Sequence, residues 1–185
     1  MTQAATLFAQ WNNFYVIVGS SGAALTGLQF VVMAIVAGAQ RKGSADTVSA
    51  FGTPTVVHFC MVLGTAAVLS APWHSTVAPA VILAMCGIQG MGYAGIVTTR
   101  ARRVKDYRPV LEDWVWHSIL PLVAYAVLFI GAIVMARGSS AGLFAIAGTS
   151  LLLLLIGIHN SWDSVAYVAT EEFQSKPPGK EMDGE

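Results

Sequence analysis

Apolar positions in this chain run together in long blocks instead of alternating with polar ones, and the blocks are much longer than a buried strand or a soluble helix needs. No Lys, Arg, Asp or Glu occurs in residues 1–40, 47–99, 114–136 or 138–162. A bilayer-crossing helix needs about 20 mostly apolar residues, and Pro, Gly and polar residues cut these blocks into segments of that size. Five spans are predicted, over about 14–37, 54–72, 77–99, 114–136 and 141–168. The turn Trp73-His74-Ser75-Thr76 separates the second from the third, and Arg137-Gly138-Ser139-Ser140 separates the fourth from the fifth. The expected fold is all-α: an integral membrane protein with five transmembrane helices forming one domain over 1–168. A polar tail over 169–185, containing Pro177-Pro178, is expected to be flexible and cytoplasmic. No basic region precedes the first apolar stretch and no cleavage site follows it, so that stretch reads as a retained helix, not a signal peptide.

Composition narrows the class further. The 185 residues are 55% hydrophobic and 11% charged, with a mean hydropathy of +0.64, outside the usual range of soluble domains. A disordered chain, a nucleic-acid binder and a secreted disulfide scaffold are excluded, because each needs charge or cysteine that is missing here. The basic residues then set an orientation, since loops rich in Lys and Arg stay in the cytoplasm. With the N-terminus outside and the C-terminus inside, Arg41, Lys42, Arg100, Arg102, Arg103, Lys105, Arg108, Lys176 and Lys180 all fall inside, leaving Arg137 alone outside. Arg100, Arg102, Arg103, Lys105 and Arg108 form the densest cluster, expected to determine topology and to touch anionic lipid headgroups.

Spans two and three, and spans four and five, form hairpins of the same sense, and the chain reads as one helix plus two duplicated hairpins. Setting His58 against His117 aligns VVHFCMVLGTAAVL with VWHSILPLVAYAVL, and Gly87-Ile88-Gln89 then faces Gly157-Ile158-His159 after an offset of 11 residues. Helices in lipid associate through close backbone approach and hydrogen bonds, so small residues mark contacts. Gly19, Ala23 and Gly27 share one face of the first span, and Gly87, Gly90, Gly92 and Gly95 crowd the third. Pro121 is expected to kink the fourth span and free the carbonyl of His117.

Polar residues inside the hydrocarbon are expensive and therefore candidates for function. His58, His117, His159 and Asp163 fall within a slab roughly 8 Å thick at about 1.5 Å per residue. Asp163 follows His159 by four positions, on the same helical face, and Asn160 lies between them. Three readings follow. His58, His117 and His159 coordinate a metal or a haem, with Asp163 orienting His159; or a His-Asp pair relays protons; or each imidazole satisfies a neighbouring helix and carries no cofactor. No tight ligand spacing accompanies the metal reading, and the sequence calls for no cofactor otherwise. Gln29 and Gln89 sit deeper and are expected to pair between helices, while Cys60 and Cys86 read as small apolar residues at different depths.

The opening WNNFYVIVGSSGAALTGLQFVVMAI resembles the first helix of small multi-pass bacterial inner-membrane proteins, some of which are labelled modulators of a membrane protease. The likeness covers about 25 residues. It implies a home in the bacterial inner membrane and a regulatory role, and transfers no catalytic residue. The combined expectation is a non-enzymatic, homo-oligomeric membrane protein that conducts a small solute or ion, or regulates a membrane partner. The alternatives are a metal- or haem-bearing redox protein and a proton-linked transport component. The partners expected are the lipid bilayer, further copies of the chain and a possible membrane protein, with no nucleic acid.

Overall fold

The computed structural model describes the backbone of residues 3–39, 45–101 and 111–175. All of it is helix and short turns. The order is α1 (Gln3–Ala39), α2 (Ala45–Ser70), α3 (Val77–Ala101), α4 (Leu111–Trp114), a π-helical turn (Val115–Ile119), α5 (Leu120–Ala136) and α6 (Ser140–Ser175). In hydrocarbon every backbone N–H and C=O must be satisfied within the segment, and a helix does this alone. Five segments are long and apolar enough to cross a membrane: Ala4–Ala34, Thr53–Ser70, Val77–Thr99, Val115–Ala136 and Ser140–Ala166. α1 starts well ahead of Phe14, and α6 continues past Val168 to Ser175. Residues 176–185 of the tail, together with Arg102, Arg103, Lys105 and Arg108, lie outside the described residues.

The short turns have identifiable chemistry. After α5, Gly138 takes a positive φ of 79°, its N–H reaches the carbonyl of Met135, and the N–H of Ser139 reaches that of Val134. This pairing closes the helix with a left-handed glycine, which no side chain other than hydrogen permits cheaply. At the end of α2, the indole N–H of Trp73 donates to the carbonyl of Val68.

α6 is the central element, packed against α1, α2 and α5, while α3 sits at an edge against α5 and touches α2 only lightly. Glycines decide where backbones come close. A Cβ on Gly142 would strike the backbone nitrogen of Met135, so the α5–α6 contact depends on its absence. Gly87 receives Phe129 of α5, Gly90 receives the ring of Tyr125, and Gly157 of α6 receives the ring of Phe59 of α2. On α1 the packing face is drawn by Gly19 against Ala66 and Gly22 against Phe59 and Val62. Ala23 is exposed and a Cβ on Gly27 would meet nothing within 4 Å. The stripe Gly19, Ala23, Gly27 therefore does not form the contact as a unit: at 100° per residue, Gly22 lies closer to the buried side set by Tyr15 and Val18.

The outer surface is apolar. Ile17, Phe30, Met85, Phe144 and Leu155 are all more than half exposed, whereas Gln29, Thr55, His58, Thr65, Thr149, Ser150 and Asn160 are buried. Outward hydrocarbon and inward polarity suit a lipid surround. Several hydroxyls donate within their own helices: Ser21 to the carbonyl of Ile17, Thr26 to that of Gly22 and Ser150 to that of Ile146, the back-bonding expected of Ser and Thr within a helix.

Candidate functional site

The polar residues gather toward the end of the bundle shared by the C-termini of α1, α3 and α6 and the N-terminal parts of α2 and α4. Three local arrangements make up this region.

The deepest joins α2 to α5. Nδ1 of His58 lies 2.8 Å from the hydroxyl of Tyr125, both side chains buried. His117 stands on the π-helical turn that leads into α5. Its position is set by the π turn. Pro121 has no N–H to offer and its ring crowds the carbonyl four residues back. The chain accommodates this by widening the preceding turn, where Leu120 N–H reaches back five residues to the carbonyl of Val115. The expected kink is thus a π-helical turn. Such turns shift the side chains before them by roughly one residue's rotation, about 100°, relative to a regular helix. Trp116 and His117 are the residues so displaced.

The second arrangement lies between α6 and α4. Nε2 of His159 is 3.4 Å from Oδ2 of Asp163, one turn along its own helix, and 4.0 Å from Oε1 of Glu112 on α4. Trp116 lies over the imidazole, with ring centroids 3.9 Å apart. His159 is mostly buried, whereas Glu112 is largely exposed. One imidazole therefore faces two carboxylates from two helices and an indole from a third segment.

The third joins α1 to α6. The hydroxyl of Ser161 lies 2.7 Å from Oε1 of Gln29 and 2.8 Å from the carbonyl of Gly157. Nε2 of Gln29 and Oδ1 of Asn160 are buried without a hydrogen-bond partner among the described residues. Gln89, in contrast, is exposed on α3 and takes part in none of the three arrangements.

His58, His117 and His159 do not converge on one point: among the described residues no three His, Cys, Asp or Glu side chains are placed to hold a metal ion. Glu112, Trp116, Tyr125 and Ser161 are participants that sequence reasoning missed. Glu112 stands just before a predicted span, and the depth argument covered only groups inside spans. Tyr125 offers no signal beyond a phenol eight positions from His117. Two grooves follow the outer seam of α1 and α6, along Ser21, Leu25 and Leu28 opposite Leu151, Leu155 and Ile158, and do not surround the histidines.

Comparison with protein-family models, with characterised proteins and with solved structures finds no match for this chain. The class is set by the fold alone: an all-helical protein with five helices long and apolar enough to cross a membrane.

Proposed function

We propose that this chain is a non-enzymatic, multi-pass protein of the bacterial inner membrane, N-terminus outside and C-terminus inside, that works as a homo-oligomer and responds to protons at its cytoplasmic end. In that role it conducts a small solute or ion, or regulates a membrane partner. The observation that carries the reading is Nε2 of His159, buried without a hydrogen-bond partner among the described residues and 3.4 Å from Asp163 of α6 and 4.0 Å from Glu112 of α4. Histidine is the side chain whose charge ordinarily changes near neutral pH. Neutral, its ring has little hold on Glu112; protonated, it attracts both carboxylates and favours the indole face of Trp116. Uptake of one proton therefore tightens α6 against α4. Because Glu112 is largely exposed, solvent and salt screen its share of the attraction, and Asp163 is the stronger partner.

Orientation rests on the nine basic residues assigned to one side. The duplication draws support from a reciprocal pair of contacts. The ring of Phe59 of α2 enters the space above Gly157 of α6, and the backbone and Cβ of Phe129 of α5 lie against Gly87 of α3. Both the phenylalanines and the glycines are 70 positions apart, a register that needs no gap between the hairpin halves and that replaces the alignment of His58 with His117, which are 59 positions apart.

The test is reconstitution of the full chain in liposomes, with flux and conductance followed across pH 5–8. The expected result is a pH-dependent response that Asp163→Asn and His159→Gln abolish. Flux equal to empty liposomes at every pH removes conduction and leaves partner regulation; a pH response untouched by both substitutions overturns the proton reading.

A further inference from the structure

Gln89 occupies an unusual position. It is exposed on α3 and has no hydrogen-bond partner among the described residues. It stands twelve positions from Val77 and ten from Thr99 in a 23-residue span, which places it roughly 15–18 Å from either end. Headgroups and water do not reach that depth, and lipid tails carry neither donor nor acceptor. A primary amide facing hydrocarbon there is costly until a polypeptide group covers it.

The surrounding face has a definite pattern. Ile82, Met85, Gln89, Gly92 and Ile96 recur at intervals of 3, 4, 3 and 4, and all five are exposed. That is the spacing of a seam between two helices packed with a left-handed crossing. Among the described residues no helix of the protomer occupies it, because α3 spends its other side on α5 through Gly87 and Gly90. A Cβ on Gly92 would meet nothing within 4 Å, so the seam narrows one turn from the amide and admits a close neighbour.

From these observations we infer that α3 pairs with α3 of a second copy, with Gln89 hydrogen-bonded to its counterpart at the centre of the interface. The inference rests on the homo-oligomeric part of the proposed function and names its contact surface. Copies inserted in the same orientation are related by a two-fold axis along the membrane normal, so each residue near the axis meets itself at equal depth. An amide is self-complementary: each carbonyl accepts from the other's NH2 group. A single polar residue within an otherwise apolar heptad seam also fixes register, as in soluble coiled coils.

The experiment uses the full chain with Cys60→Ala and Cys86→Ala, reconstituted over a series of protein-to-lipid ratios, with copy number read by single-molecule photobleaching. Dimers are expected, weakened roughly 5- to 30-fold by Gln89→Leu, less by Gln89→Asn and more by Gly92→Leu. Since these positions are exposed in the protomer, thermal melting of each variant is expected to stay unchanged, which separates loss of pairing from loss of folding. In the same background Gly92→Cys is expected to form an intermolecular disulfide and Gly27→Cys, equally open on α1, is not. A monomer at every ratio overturns the homo-oligomer reading and this seam together. An oligomer indifferent to Gln89→Leu, cross-linking at Gly27 instead of Gly92, overturns the seam alone. Capture of a different protein by a photoreactive group at Gln89 in native membranes, with no self-adduct, overturns it as well.

Discussion

Tyr125 and His58 meet across α2 and α5, 2.8 Å from hydroxyl to Nδ1, while the same tyrosine ring fills the space above Gly90 of α3. One fully buried side chain thus ties three helices together. Tyr125→Phe keeps the ring and removes the hydrogen bond, and is expected to cost about 0.6–2 kcal/mol, the range for interhelical bonds in membranes. Tyr125→Ala removes both and is expected to cost about 3–5 kcal/mol. Unfolding in mixed micelles measures both values; equal losses would show that the hydroxyl alone matters.

Glycine substitutions are expected to divide by what their Cβ meets. At Gly142 it strikes the backbone nitrogen of Met135, which no rotamer change relieves. Gly142→Ala is expected to destabilise by about 1–3 kcal/mol. Gly27→Ala meets open space and is expected to be neutral or mildly stabilising, since alanine is the better helix former. Thermal melts of the two variants side by side check the contrast.

Pro121 holds the π turn that turns Trp116 toward His159. Pro121→Ala restores an N–H and removes the ring, so the turn is expected to relax to an ordinary helix. Stability should stay level or rise while the near-ultraviolet signal of Trp116 and the pH response both diminish. An unaltered pH response in this variant would detach the π turn from function.

The cofactor readings yield to direct measurement. His58 gives Nδ1 to Tyr125, and the remaining histidines do not share a ligand point with it among the described residues. Purified protein is expected to be colourless, with metal well below one equivalent per chain. A haem band, or stoichiometric metal lost on His159→Ala, would establish a redox or metal-binding role for these residues.

Topology is equally accessible. A cysteine at Ser139, in the turn after α5, is expected to react with impermeant thiol reagents from outside intact cells, and one placed beyond Val168 only after permeabilisation. Labelling of both from the same side would overturn the five-crossing arrangement.

Much of the architecture was written in the chain as one-dimensional information. Charge-free length, the two tight turns and the distribution of Lys and Arg depend on position along the sequence, and hydrocarbon reads position directly: a segment either satisfies its own backbone and tolerates lipid or it does not. The adjacency of His159 and Asp163 was also local, a matter of one helical turn.

Rotation and neighbour choice were not local. Whether Gly22 or Ala23 faced α2, whether α3 paired with α2 or α5, and which side of α3 Gln89 occupied depend on the azimuth of each helix, and an apolar helix with no polar face carries almost no azimuthal signal. Only packing resolved these questions, through the few places where a missing Cβ lets backbones meet. The same holds for Glu112 and Tyr125, which join the site from helices distant in sequence. Sequence alone therefore determined an all-helical chain with five segments long and apolar enough to cross a membrane; the tertiary structure decided which polar groups touch, because contact between apolar helices is a question of shape.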